Sequence, residues 1–246
     1  MKRIFALAIA LSTALSLGGC ATVNFSGSYG SVSGAGDIIT VEYPCGDFTG
    51  LEVELVAGLV YTADNSHSVK IEMYENLEEY IDVTNQNGVL LINSTAGITA
   101  TNPDKMPLIY VSAPALEYLN LSGMLETLHF DEITADKFEL YITGMVSCTF
   151  TLNVKELEVN LEGTSDVVLL GAAEKASLYI DGIGSLEAFG LVVKEAKATV
   201  DGVGSIEISC SDKLDAEVSG MGSVKYRGNP AVSKQIDGLG KILKVD

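Results

Sequence analysis

The strongest constraint on this chain is a phrase that recurs through its second half. It reads Asp181-Gly182-Ile183-Gly184-Ser185-Leu186, then Asp201-Gly202-Val203-Gly204-Ser205-Ile206. It returns as Ser219-Gly220-Met221-Gly222-Ser223-Val224 and Asp237-Gly238-Leu239-Gly240-Lys241-Ile242, and looser copies are centred on Gly123, Gly144 and Gly163. Indexed by their first glycine, the copies are spaced 21, 19, 19, 20, 18 and 18 residues apart. Two residues before each glycine stand Leu121, Ile142, Leu161, Ile180, Val200, Val218 and Ile236, all apolar. Four before stand Leu119, Leu140, Val159, Leu178, Ala198 and Ala216, until Lys234 breaks the run. The residues between them, from Asn120 and Tyr141 to Glu217 and Gln235, are mostly polar or amphipathic. Four after the glycine come Thr127, Cys148, Val167, Leu186, Ile206, Val224 and Ile242, with the first copy displaced by one.

Alternation of this kind marks strands with one apolar face. One such unit cannot bury its apolar face alone, but stacked units build a continuous interior. A rival reading makes each Asp-Gly or Gly-x-Gly a hairpin turn in an antiparallel sandwich. That reading gives consecutive copies no reason to keep one phase. The pattern therefore predicts an all-β chain, a right-handed parallel β-helix with rungs of about 19 residues, its hand following the general rule for parallel connections. The glycines are expected at corners that need positive φ. Upstream, short β-branched runs at Ile38–Tyr43, Leu51–Val56, Leu59–Ala63, Val69–Met73 and Leu108–Ser112 read as strands. They would add about four irregular rungs. Leu77, Tyr80 and Ile81 suit a helical turn within Tyr74–Ile81, Asn87-Gly88 signals a tight turn, and Thr99–Pro107 reads as a loop.

The first residues read as an export signal. Lys2 and Arg3 precede an apolar run from Ile4 to Leu17, too short to span a bilayer. Leu17-Gly18-Gly19-Cys20 resembles a bacterial lipobox, which makes Cys20 the expected lipidation site and new N-terminus; ordinary cleavage beside a free Cys20 is the alternative. The expected organisation is a signal peptide at 1–19, a Gly/Ser-rich tether at 20–36 and a β-helix domain at 37–246. The chain carries a net charge of −18, which becomes −20 once Lys2 and Arg3 are removed. So acidic a surface repels nucleic acid and anionic headgroups, which excludes a nucleic-acid partner. Cys45, Cys148 and Cys210 show no metal-binding spacing. Cys148 and Cys210 sit at apolar positions and read as core residues, with a disulfide as the alternative.

Three stretches carry a family resemblance: Phe48-Thr49-Gly50-Leu51-Glu52-Val53, Leu116-Glu117-Tyr118-Leu119-Asn120-Leu121-Ser122-Gly123, and the serial Gly-x-Gly-Ser repeat ending in Tyr226-Arg227-Gly228-Asn229-Pro230. From about residue 37 onward the chain resembles the family called putative auto-transporter adhesin, head GIN domain. The resemblance implies a right-handed parallel β-helix in exported, often lipid-anchored proteins of Gram-negative bacteria. Gly123, Gly144 and Gly163 depart from the family pattern in lacking the second glycine, which leaves their corner geometry open.

Residues suited to catalysis are few. His67 and His129 stand beside no nucleophile motif, and no metalloprotease, P-loop or G-x-S-x-G motif is present. Beyond the export signal Arg227 is the one arginine, so a bidentate clamp on an acidic sugar is hard to build. The residue before each glycine would form a stacked column containing Asp181, Asp201 and Asp237. That column is the candidate metal site, for weak Ca²⁺ binding; the alternative is that these side chains brace the corner by hydrogen bonds. No other cofactor is indicated. Tyr141 and Tyr179 are candidates for a sugar-stacking ladder. The expected protein is a non-catalytic, adhesin-like binding module of the cell envelope. It is held by lipid on Cys20 to the outer membrane, facing periplasm or cell surface, and takes a glycan or protein ligand. A purely structural envelope protein and a polysaccharide-acting enzyme are the alternatives. Oligomeric state is not legible.

Overall fold

The computed structural model describes residues 30–99 and 106–246. The export signal, Cys20 and the first part of the tether lie outside the described residues. Six short elements open the fold: β1 (Ser31–Ser33), β2 (Ile38–Tyr43), β3 (Gly50–Ala63), β4 (Ser68–Tyr74), β5 (Ile81–Gln86) and β6 (Val89–Ser94). They are followed by β7 (Gly97–Thr99) and β8 (Leu108–Ala113), and then by the repeats: β9 (Tyr118–Phe130), β10 (Ile133–Ile142), β11 (Met145–Leu161), β12 (Thr164–Ile180), β13 (Ile183–Val200) and β14 (Val203–Val218). β15 (Ser223–Arg227), β16 (Ala231–Ile236) and β17 (Lys241–Lys244) complete the chain.

The repeats stack as parallel rungs in one phase. β11 pairs with β12 from Met145↔Thr164 to Leu161↔Ile180, and β12 with β13 from Thr164↔Ile183 to Ile180↔Val200. β13 pairs with β14, and β14 with both β15 and β16, in the same sense. The chain is a β-solenoid of stacked parallel coils, as its period predicts. Like residues lie on like: Leu119, Leu140, Val159, Leu178, Ala198 and Ala216 form one fully buried column. Alternation between inward and outward residues fails at fixed places in each rung, where consecutive residues face solvent. A flat strand cannot do that, so the chain turns there. In β12 the turns fall at Leu170–Ala172 and Glu174–Lys175, and a third lies at the glycine.

The glycines at the third turn are required by crowding more than by φ. Of the seven first glycines only Gly123 has a positive φ, at 108°. At the others an added Cβ would strike the rung beneath: 2.0 Å from the Gly123 oxygen at Gly144, 2.4 Å from the Gly182 oxygen at Gly202 and 2.1 Å from the Gly202 oxygen at Gly220. The turns nest this closely because backbone bonds tie each to the next, as from the Ile183 amide to the Gly163 carbonyl (3.1 Å) and the Val203 amide to the Gly182 carbonyl (2.9 Å).

The second glycine of the phrase belongs to a taper. Its position faces the interior, and along the stack it is Leu125, Val146, Ser165, Gly184 and Gly204 in register. Leu125, Val146 and Ser165 are buried. An added Cβ at Gly222 would meet Val200 Cγ1 at 2.5 Å, and one at Gly240 would meet Val218 Cγ1 at 2.2 Å. The looser copies thus fill a wider core with side chains, and the strict copies close a narrower one with glycine. The buried aromatics Phe48, Tyr61, Phe130, Phe138 and Phe150 lie toward the wide end, and Tyr226 lies at the other. The displaced fourth position of the first copy is a bulge: Thr127 has φ 53°, and the β3–β9 register shifts between Gly58 and Leu59.

The ends differ from the sequence-based expectation. Upstream, β3 is one full rung beneath β9, and β6 and β8 pair in parallel with β3. Three further upstream pairings are antiparallel: β2 with β4, β4 with β8 and β5 with β6. Four irregular rungs are therefore replaced by fewer rungs and an antiparallel cap, which covers the first coil's open face. The helical turn is a 3-10 segment, Glu75–Tyr80, that buries Leu77. Asn87 and Gly88 take φ 57° and 84°, the left-handed pair that a two-residue hairpin needs. Ser31–Ser33, assigned to the tether by composition, pairs in parallel with β7, so the ordered body begins before Asp37. At the other end Lys234 occupies the inward column above Ala216. Its Nζ reaches the Ile242 carbonyl at 3.3 Å and lies 5.1 Å from the Tyr226 ring centroid. The residue that broke the apolar run closes the column's end. Ile236, apolar like its equivalents, is 46% exposed there.

Gly220→Ala is expected to destabilise the chain by about 3 kcal/mol, because the new Cβ must displace backbone. At Gly97 the nearest atom to an added Cβ is 3.9 Å away, and Gly97→Ala is expected to change stability by under about 0.5 kcal/mol. Urea midpoints measure both.

Candidate functional site

The residue between the two glycines projects outward at the glycine turn. Along the stack it is Met124, Met145, Thr164, Ile183 and Val203 in strand register. Met221 and Leu239 continue the line, their amides bonded to Gly202 and Gly220 as the Ile183 amide is to Gly163. Their exposures are 37% (Met124), 50% (Met145), 62% (Ile183), 48% (Val203), 64% (Met221) and 83% (Leu239). With Thr164 also exposed, this is a ridge one residue wide that runs the length of the repeats. Seven rungs at the strand spacing make it about 29 Å long. The signal was present in the sequence, since the middle residue of Gly-x-Gly is apolar in every strict copy. Sequence reading alone does not separate it from core, because an apolar residue at a turn faces inward as readily as outward.

Beside the ridge runs the column predicted from the sequence. Asp181, Asp201 and Asp237 are all exposed. Asp237 accepts from Gln235 Nε2 at 2.7 Å. Asp181 and Asp201 make no side-chain hydrogen bond to the turn among the described residues, so the rung-to-rung backbone bonds, rather than these carboxylates, brace it. Their field is felt nearby: burial first, then the charges of Asp181, Asp201 and Glu162, push the Tyr179 hydroxyl above its ordinary value. Among the described residues no three His, Cys, Asp or Glu side chains gather in a metal-holding group.

The tyrosine ladder is differently composed. Tyr141 packs against Tyr118, one rung below, with ring centroids 5.7 Å apart, and not against Tyr179. Tyr118 donates its hydroxyl to Glu52 (2.9 Å), Tyr141 donates to Glu158 (3.2 Å), and Asn160 donates to the same Glu158 oxygen (3.2 Å). Burial and the Glu52 carboxylate push the Tyr118 hydroxyl up to about 12. Next to it lies a shallow groove of about 360 Å³, lined among others by Lys137, Glu156, Lys175, Glu195 and Lys213. These five stack in register and alternate in sign. At the preceding position Asp136, Lys155, Glu174, Lys194 and Asp212 alternate in the opposite order. Lys155 pairs with Asp136 at 2.7 Å and Lys194 with Glu174 at 3.1 Å. In a parallel stack each residue lies on its equivalent, so alternation turns repulsion between rungs into attraction.

The remaining reactive groups are engaged in structure. His67 lies against the Phe48 ring, with Nε2 3.1 Å from the Phe48 carbonyl and Nδ1 3.2 Å from Asp47. His129 is on the surface, 3.6 Å from Asp131. Arg227 covers the Phe189 ring at 4.0 Å. Cys45, Cys148 and Cys210 are buried, unpaired thiols. Burial pushes all three up, Cys148 to about 12, which suppresses the nucleophilic thiolate.

Comparison with known proteins places this geometry. The family model described as putative auto-transporter adhesin, head GIN domain, matches residues 47–230. A crystal structure of a putative adhesin from Bacteroides fragilis is similar, with a TM-score of 0.81, 25% identity, and coverage of 87% of this chain and all of that one. A putative lipid binding protein from Parabacteroides distasonis shares the fold at a TM-score of 0.68 and 20% identity, covering 88% of this chain and all of that one. A putative adhesin from Parabacteroides merdae shares it at 0.65 and 22% identity, covering 88% and 99%. No curated protein matches the sequence.

Because the Tyr118 hydroxyl is held neutral up to about pH 12, its contribution to stability is full below its unfolded value near pH 10 and is lost as pH rises through the folded one. Urea midpoints of the native chain are expected to fall between pH 9 and pH 11.5. In Tyr118→Phe that fall should be smaller.

Proposed function

This chain belongs to the putative auto-transporter adhesin, head GIN domain family, and from that premise we propose that it is a non-catalytic binding module of the cell envelope. It is held at the outer membrane by lipid on Cys20. One observation carries the binding assignment: an exposed ridge from Met124 to Leu239 that is apolar on six of its seven repeats, Thr164 being the exception. Soluble chains seldom leave so extended an apolar line in water unless it meets a partner. The rungs beneath it are rigid, so the ridge is pre-formed and little ordering accompanies binding.

A non-catalytic role is supported by the chemistry of the groups that catalysis would recruit. The thiols are buried, the histidines serve a loop and the surface, and the carboxylates of the groove are balanced by lysines. The Asp181–Asp201–Asp237 column is the place offered to Ca²⁺, through solvated carboxylates and with low affinity.

Two outcomes test this reading. Cys20→Ala is expected to move the chain from the membrane fraction to the soluble fraction, with loss of palmitate labelling. Ile183→Ser/Val203→Ser/Met221→Ser is expected to leave the thermal unfolding curve in place while reducing capture of envelope ligands from glycan and protein arrays at least tenfold. Release of reducing ends from any polysaccharide in the same panel would defeat the non-catalytic assignment.

A further inference from the structure

The residues beside the ridge restrict what can sit on it. One flanking column carries Glu162, Asp181, Asp201 and Asp237; the other is mostly serine, with Glu126 and Asp166 set against the cation Lys241. The edge is therefore an apolar line with an acidic column along one side and a serine-rich one along the other, on a chain of net charge −18. A partner must offer apolar side chains at rung spacing, positive charge along one side of them and polar groups along the other. Resting on the ridge as a binding surface, we propose that its ligand is a basic amphipathic helix of a partner protein.

The spacing supports a helix laid along the ridge. Ridge residues recur every rung, at about 4.8 Å. Apolar residues on one helix face recur every turn, at about 5.4 Å. Over six intervals the mismatch accumulates to about 4 Å, within the adaptability of a line that includes Met124, Met145 and Met221. A helix of about 20 residues matches the ridge in length. Lysines or arginines along one side of its apolar stripe then face the carboxylates from Glu162 to Asp237.

Other occupants fit less well. A second copy set ridge to ridge brings the acidic column against itself when antiparallel and against the serine-rich column when parallel, with almost no positive charge to meet it in either case. An anionic bilayer is repelled by the same groups, and a neutral one would strip water from the exposed carboxylates of Asp181 and Asp201. A contact one residue wide also places the interaction among weak, transient ones, whose affinity depends on salt.

The test uses the mature chain from Cys20 onward, made soluble by Cys20→Ser, and an 18-residue fluorescent peptide of Leu and Lys patterned as an amphipathic helix. Controls are the same composition scrambled, a matched Leu/Glu peptide and phosphatidylcholine vesicles. The Leu/Lys peptide is expected to bind, and to weaken at least tenfold in Ile183→Ser/Val203→Ser/Met221→Ser and several-fold in Asp181→Asn/Asp201→Asn. Glu156→Gln/Glu195→Gln, an equal charge change on the groove face, should leave it within twofold. Equal losses in the two carboxylate variants, or scrambled-peptide binding as tight as the patterned one, would overturn the proposal in favour of general acidity. Ridge-dependent binding of the Leu/Glu peptide or of vesicles would overturn the partner chemistry while sustaining the ridge as a binding surface. If no probe responds to the ridge variant, both readings fall.

Discussion

The structure depends on how closely the backbone of one turn sits over the next. From Gly144 onward, the first glycine of each repeat has the carbonyl oxygen of the turn beneath it where a Cβ would be. That contact lets the amide after each glycine reach the carbonyl one rung down, which ties the corner as firmly as the strands. A side chain there would lift one rung off its neighbour and break the ladder on both sides. The period, the phase of the apolar columns and the straightness of the ridge all follow from repeating this one contact.

Two further devices keep the stack in register. The interior narrows along the axis, as Leu125, Val146 and Ser165 give way to Gly184 and Gly204 at one position. A rung slipped by one place would overfill the narrow end or leave a cavity at the wide one. At another turn, Asp136-Lys137, Lys155-Glu156, Glu174-Lys175, Lys194-Glu195 and Asp212-Lys213 form a checkerboard. Each of these surface pairs is weak. A slip that stacked like on like would make all of them repulsive at once, so their value lies in specificity.

Function is placed by the same geometry. The turn that excludes side chains on the inside must still carry one residue pointing out, and in this chain that residue is nearly always apolar. The carboxylates beside it face solvent and not the turn backbone, so they are available to a partner. A solenoid is well suited to this arrangement, because a rigid repeat converts one outward position into a straight line of identical spacing.

Much of this was legible in the residues. The apolar columns from Leu119 to Ala216 and from Leu121 to Val218 gave the rung and its phase, because stacking demands that equivalent residues share a burial. Lys234 signalled the end of the column, and Thr127 the bulge of the first copy. The reason for glycine was misassigned, since positive φ is a local property and the crowding at Gly144 or Gly220 comes from a residue one rung away. The antiparallel pairing of β2, β4 and β5 was hidden for the same reason: a strand run specifies its faces but not its neighbour's direction. Tyr141 finds Tyr118 and not Tyr179 because rung adjacency, not likeness of residue, decides contact. By itself, then, the sequence determined the repeat, the core columns and the acidic column, all properties of spacing and residue type. Only the tertiary structure decided that Ile183, Val203 and Met221 face water, that the second glycine is the narrow end of a taper, and how the first coil is capped. Those depend on which surfaces meet, which non-local packing fixes.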